Sequence, residues 1–553
     1  MDTFLKKSLS LLLKRQTSIL SAAFVIMATV VLSHILGFVK QRLLVSIFGV
    51  STDLGIFEYA SLLPETVFQL TISAALSSAF IPVFTDYLSK GEEKQGHKMA
   101  STLLLIGFIL FAIFSAVLII FAPFFLSIFN SGAKFSPQQI LLMSNLMRLF
   151  IVGQLLFVVG TFFSALLQSY NQFFVPGIAL ALYNLGIIIG VFFFSSTFGI
   201  FSAPIGVIIG ALFFVVAQIP LAKQIGFSFR PSFHKDAIEG IKKIGYLMWP
   251  RTLSLIVFQF GTLSIASFIA FLSDPGRNIN IYNLGRTLAF APVTLFGQPI
   301  AQAALPILSR EKSDMKVFRE TFLASFNQML YIILPVSVLI LVLRIPIVRL
   351  VYGADKVDWL ATVGIGRTVA LFSLSIFAQA LVALALRAFY ALHSTKVPLI
   401  VGAISTAVML ACVYIFVVMY HFGVESFAAA YSIGNIFQLV LLLIILDKRV
   451  GGFEKRAELS VLIRYFFISV ATAFALYIPI KLLDQLVFDT TRTFNLLILT
   501  GISSLFGLSL YLFLSWYLQI QEAAVYLEML KRLKNIKEMI YKGPETIEGG
   551  KFN

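Results

Sequence analysis

The chain has 553 residues, of which 59% are hydrophobic and 12% charged, with a formal net charge of +16. An ordinary soluble domain is about 25% charged, so packing in water is excluded and lipid must be the solvent. The single Cys412 excludes an intrachain disulfide or cysteine-cluster metal site. The five histidines show no i, i+4 pairing.

In chain order, residues 1–17 read as a retained, basic interfacial segment, because no small-residue cleavage site follows them. Fourteen apolar runs long enough to span come next. The first six are expected at 18–48, 53–88, 98–128, 138–170, 174–197 and 202–224. Six more are expected at 240–273, 280–308, 318–345, 358–392, 397–420 and 424–446, and the last two at 460–482 and 493–519. With the N-terminus inside, inner segments hold 27 Lys and Arg and outer loops 7, so both termini are expected in the cytoplasm. The same rule explains the basic excess without nucleic acid.

The chain also repeats itself. PETVFQLTISAA (64–75) matches PVTLFGQPIAQA (292–303) at Pro, Phe, Ile and Ala. Pro176 and Pro398, in ALLQSYNQFFVPGI and ALRAFYALHSTKVPLI, and then Arg148 and Arg367, recur at nearly the same offset. The expected fold is therefore all-α and polytopic: two parallel six-helix lobes, 18–224 and 225–446, followed by two extra helices in 447–519. A basic tail, 520–553, contains YLEMLKRLKNIKEMI, whose apolar residues fall at helical spacing and suit an anionic membrane surface.

No hydrolase or kinase signature and no P-loop is present, so nothing reads as an enzyme. What stands out is ionisable residues inside spans, together with the span-breaking Pro64, Pro250, Pro292, Pro299 and Pro335. Paired halves with broken helices are transporter architecture, and a cavity lined by Arg and Lys would draw an anionic, phosphate-bearing substrate.

LSHILGFVKQRLLVSIFG (32–49) carries three of these residues. His34 lies near mid-span, where a neutral core histidine competes with a cavity role. Lys40 is deeper than an easy snorkel. Arg42 points roughly 160° away from Lys40 around an ideal helix and reads as interfacial. Arg286 lies before the Pro292 break, and Arg251 follows Pro250 well inside its span. For the repeat-related Arg148 and Arg367, interhelical hydrogen bonding and substrate contact stand side by side. Asp53 opens the second span, where capping alone would explain it. Glu65, beside Pro64, is a candidate ion or proton partner.

These residues also resemble a family. The run at 32–49 with STD, then LLPETVF (62–68) and ALSSAFIPVF (75–84), is similar to the opening of the MurJ/MviN-type lipid II flippases. YNLGRTLAFAPVTLFG (282–297) with ALPILSRE (304–311) resembles that family's eighth span, and AFYALHSTKVP (388–398) its tenth-span exit. The resemblance implies the multidrug/oligosaccharidyl-lipid/polysaccharide exporter fold in a bacterial cytoplasmic membrane. It implies outward flipping of undecaprenyl-diphosphate-linked peptidoglycan precursor by alternating access, with the last two spans as a lipid-tail groove.

By this resemblance Arg286 and Asp53 match motif positions, and Lys40 keeps the charge of a usual Arg. His34 and Phe68 stand where Arg is usual, and Gln41 and Ala289 where acids are, so Arg251 or Arg148 would have to compensate. The altered set keeps two other readings open: a flippase for another undecaprenyl-linked saccharide of O-antigen or capsule type, and a multidrug/cation antiporter. Partners are expected to be lipid II and membrane lipids, with the chain a monomer. No cofactor is expected, while coupling to a monovalent cation or to membrane potential stays open.

Overall fold

A computed structural model describes residues 19–73, 76–129, 135–453, 455–486, 490 and 492–523. The interfacial segment at 1–17 and the amphipathic stretch at 526–540 lie outside the described residues.

Every described element is helical. In chain order they begin with α1 (Ile19–Phe48), α2 (Thr52–Phe68), α3 (Ile81–Ser89), α4 (Glu93–Ile120) and α5 (Ala122–Phe129). Next are α6 (Pro137–Ser169), α7 (Phe174–Phe198), α8 (Ser202–Val216), α9 (Ile219–Gln224) and α10 (Lys235–Ile269). Then follow α11 (Pro275–Pro292), α12 (Gln298–Glu311), α13 (Met315–Val342), α14 (Arg344–Tyr352) and α15 (Trp359–Ser373). The last are α16 (Ile376–Ala391), α17 (Lys396–Val413), α18 (Glu425–Arg449), α19 (Lys455–Leu486) and α20 (Thr493–Tyr517).

Among the described residues, eleven helices are long and apolar enough to span, or twelve if α15 and α16, bent by 43°, form one. This count falls short of the expected fourteen for two physical reasons. The stretch Phe174–Gln224 counts once, yet it turns back on itself at Gly199, which has a positive φ of 53°. A Cβ on Gly186 would run into the backbone of Gly210, and one on Gly190 into Gly206, so α7 and α8 lie antiparallel with backbones touching. The expected span 53–88 is instead divided by two π-helical segments, Gln69–Ser73 and Leu76–Phe80.

A third π-helical segment, Val293–Gly297, interrupts the repeat-related stretch between α11 and α12. Pro64 and Pro292 stand within five residues of these first and third segments, where the missing N–H and the ring break the regular ladder.

The chain divides into two compact units. The first comprises Met1–Ala289, Ile347–Phe372 and Ser394–Gln438. Within it α1 packs on α7, α6 packs on α2, α4 and α8, and α10 packs on α4 and α17. Its buried aromatic core gathers under the first π-helical segments, where Phe80 meets Phe84 at 5.3 Å and Phe162 at 5.6 Å between ring centroids. The second unit comprises Phe290–Pro346, Ser373–His393 and Leu439–Asn553. There α16 packs on α12 and α13, while α19 packs on α13 and α20. Tyr331, Tyr465 and Tyr511 are buried together in it, and the Tyr511 hydroxyl donates to the Tyr331 carbonyl at 2.8 Å.

Candidate functional site

Four formally charged side chains of the first unit, on three spans, lie within electrostatic reach of one another. Glu58 and Glu65 stand seven residues apart on α2, which puts both on one face. Lys40 arrives from α1 and Arg286 from α11. The Asn283 amide, one turn before Arg286, donates to Glu58 Oε2 at 2.7 Å and joins α11 to α2. The Arg286 guanidinium sits 5.8 Å from the centre of the Tyr282 ring, a cation–π contact within one helical turn. Glu65 lies in the electrostatic field of both Lys40 and Arg286, and Glu58 in that of Arg286. Tyr183 of α7 lies in the field of Glu65, and Tyr431 of α18 in that of Arg286.

Lys40, Glu58 and Arg286 are half-buried, whereas Glu65 is exposed in the middle of an apolar chain. A mid-span carboxylate that is exposed yet flanked by charged and phenolic groups from other helices suits a polar hollow better than a lipid face. Two cations opposite two carboxylates make the group formally neutral.

The other candidates fall elsewhere. His34 Nδ1 bonds the Val30 carbonyl of its own helix at 3.0 Å. Asp53 is exposed in the first turn of α2, about 18 Å along the axis from Glu65 at 1.5 Å per residue. Arg148 donates to the Ile119 carbonyl at 3.2 Å and to Asn145 Oδ1 at 2.9 Å, which satisfies the C-terminal end of α4. Arg367 is exposed and makes a loose pair with Glu425 at 4.0 Å. Arg251 lies in α10, and its side chain is outside the description. Arg148→Ala is expected to lower stability by about 1 kcal/mol through its lost hydrogen bonds and to spare substrate affinity, as a melting curve beside a binding isotherm would read.

Sequence reasoning missed Glu58, although an acid seven residues from Glu65 inside one span was a usable signal. It also missed Tyr183, Asn283 and Tyr431. An amide or phenol in a span has no such penalty to mark it out.

Three turns of the first unit are tied together at the N-terminal end of α2. Ser51 caps α2 through Leu54 N, and its carbonyl accepts from the Asn280 amide at 2.7 Å. Thr52 Oγ1 donates to Asp274 Oδ1 at 3.0 Å, while Asp274 also accepts from Arg277 N. Arg277 Nη2 donates to both oxygens of Asp358, at 2.7 and 2.5 Å. Lys356 Nζ donates to the Ile47 carbonyl at 2.6 Å, and Arg42 Nη1 to the Leu350 carbonyl at 2.5 Å, so each cation closes a helix C-terminus. At the centre, a Cβ on Gly55 would overlap the backbone of Gly276.

The Arg277 guanidinium hydrogen-bonded to Asp358 holds that carboxyl below the usual carboxylate range. A carboxyl depressed on folding stabilises above its unfolded pKa of about 3.9, and the contribution is lost only as pH falls through its folded value. The pair is exposed, so the contribution is under about 1 kcal/mol. The stability difference between wild type and Asp358→Asn should therefore not change between about pH 8 and about pH 5, where Asp358 stays ionised, as melting curves of the two across that range would read.

The profile of a family described as "Lipid II flippase MurJ" matches residues 44–499. The probable lipid II flippase MurJ of Borreliella burgdorferi is 25% identical over 506 residues, covering 88% of this chain and 95% of that protein. That of Buchnera aphidicola subsp. Acyrthosiphon pisum is 29% identical over 376 residues, covering 66% and 72%. Among solved structures, a lipid II flippase MurJ in an inward closed conformation superposes with a TM-score of 0.74 at 20% identity, covering 92% of this chain and all of that one. An inward-facing multidrug resistance MATE transporter gives 0.62 at 13% identity, covering 78% and 98%.

Proposed function

The chain belongs to the lipid II flippase MurJ family, and from that premise we propose that its hollow carries the diphosphate of lipid II between leaflets. It is a multi-pass membrane transporter rather than an enzyme. The observation that carries the reading is the placement of Lys40 and Arg286 on different spans, each half-buried. Two cations on separate helices suit a ligand with two adjacent phosphates. Arg adds paired N–H donors and Lys a compact point charge.

The N-terminal end of α2, with its Arg277–Asp358 and Lys356–Ile47 ties, is read as the outer closure, and the termini as cytoplasmic, in line with the Lys and Arg bias of the loops. The spans are read as fourteen, in two six-helix lobes and a terminal pair. Lys40, Glu58 and Glu65 then come from the first lobe and Arg286 from the second, so relative motion of the lobes opens and closes the site. The undecaprenyl tail stays in lipid beside the last two spans while the head group crosses. The reading takes the chain as a working monomer and requires no cofactor.

The test is outer-leaflet lipid II in bacteria depleted of their own flippase and expressing this protein. Restored exposure supports the reading. A well-inserted protein that restores nothing, while exporting another undecaprenyl-linked saccharide when its biosynthesis is supplied, would replace it.

A further inference from the structure

The connection between α9 and α10, residues 225–234, crosses the start of α4 as a non-helical strap pinned by two hydroxyls. Arg230 N donates to Ser101 Oγ at 3.1 Å, and Ser232 N to Thr102 Oγ1 at 2.8 Å. Ser101 and Thr102 are the last polar residues before the unbroken apolar run 103–114 of α4. The strap therefore lies where this span enters the hydrocarbon, at the level of the lipid head groups. Gly240 of α10 lies against Met99 of α4, which brings Lys242 close to the same level. Tyr246 and Trp249 follow one and two turns on, about 9 and about 4.5 Å before the span Thr252–Ile269. All three share the face of α10 turned away from the buried Ala237, Gly240 and Ile244.

Large apolar side chains stand open on this surface: Phe229 is 53% exposed, Phe233 62%, Tyr246 82% and Trp249 61%. Arg230 and Lys242 are exposed beside them, and among the described residues their side chains have no hydrogen bond or ion pair. Lys243 differs, since Asp86 holds it at 3.3 Å together with Lys90 at 3.2 Å. Residues 223–243 carry five Lys and Arg against two acids.

We propose that this surface binds anionic phospholipid, with Arg230 and Lys242 on the head-group phosphate and the four rings against the glycerol and upper acyl chains. Aromatic rings settle at the boundary between head groups and chains, and cations at that depth draw acidic lipid. A zwitterionic lipid brings its own ammonium to its phosphate, so two free cations favour a lipid of net negative charge. In the orientation read above, that lipid comes from the inner leaflet. The surface uses none of the residues assigned to lipid II.

The experiment isolates Trp249 in the full chain by W359F/W516F, both at exposed positions, in bilayers of phosphatidylcholine and phosphatidylglycerol. Quenching by brominated phosphatidylglycerol, set against brominated phosphatidylcholine at the same fraction, gives the relative affinity at this ring. A preference of about tenfold for phosphatidylglycerol is expected. Adding R230Q/K242Q should bring it to within about twofold of equality. K316Q/K448Q, which removes the same charge from the second unit, should leave it unchanged.

Equal quenching by the two lipids, or a preference that R230Q/K242Q retains, overturns the proposal. So does a Trp249 that neither lipid quenches, which would put a protein partner over the rings. Lipid II that displaces phosphatidylglycerol from Trp249 when present at a small fraction of it would make the surface a substrate dock and overturn the proposal as well. If R230Q/K242Q does not insert, the preference is read in about 1 M salt, where screening reaches about 3 Å: its loss supports the proposal and its persistence overturns it.

Discussion

Arg286→Ala is expected to cut lipid II flipping at least about tenfold at matched membrane levels, since one lost charged hydrogen bond is worth about 1.5–3 kcal/mol. The substitution removes three things together: a phosphate partner, the cation over the Tyr282 ring, and the counter-charge of Glu58. Arg286→Lys separates them. It keeps the charge but loses the planar fork, so intermediate flipping would assign the effect to paired N–H recognition and full flipping to charge alone. Outer-leaflet lipid II measured against the wild type is the readout. Wild-type exposure in the Ala variant would remove Arg286 from the substrate path.

The second large effect is expected at Gly55. A side chain there meets the Gly276 backbone, which cannot swing aside as a flexible side chain would. Gly55→Val should therefore part α2 from the start of α11 and loosen the Thr52–Asp274 and Asn280–Ser51 bonds beside that crossing. Overpacking of this kind costs about 1–3 kcal/mol, enough to move a closed population of 99% to a minority at its upper end. A cysteine placed at the buried Val50, in a chain whose Cys412 is replaced by Ser, should then label markedly faster and net flipping should fall. Unchanged labelling would mean that the crossing yields elsewhere and is not what holds this end shut.

Much of this architecture was legible in the residues. Apolar runs and cation bias mark the spans, and the prolines at 64 and 292 mark the places where π-helical segments interrupt them. The clustering of charges was only half legible. Lys40, Glu65 and Arg286 stand out singly because each is ionisable in an apolar run, yet their meeting depends on how α1, α2 and α11 rotate against one another. That rotation is fixed by contacts such as Gly55 on Gly276 and Asn184 on Ser33, which have no periodic signature. Arg148 shows the converse. It is as conspicuous in sequence as Arg286, but the open carbonyl of Ile119 at the end of α4 takes its guanidinium, and only the fold reveals that carbonyl.

The formal neutrality of the Lys40, Arg286, Glu58 and Glu65 group has an electrical consequence. The loaded carrier takes the two negative charges of a diphosphate diester outward, in the direction that an inside-negative potential favours. Each charge is worth about 2.3 kcal/mol per 100 mV, so the voltage would favour the loaded stroke toward export.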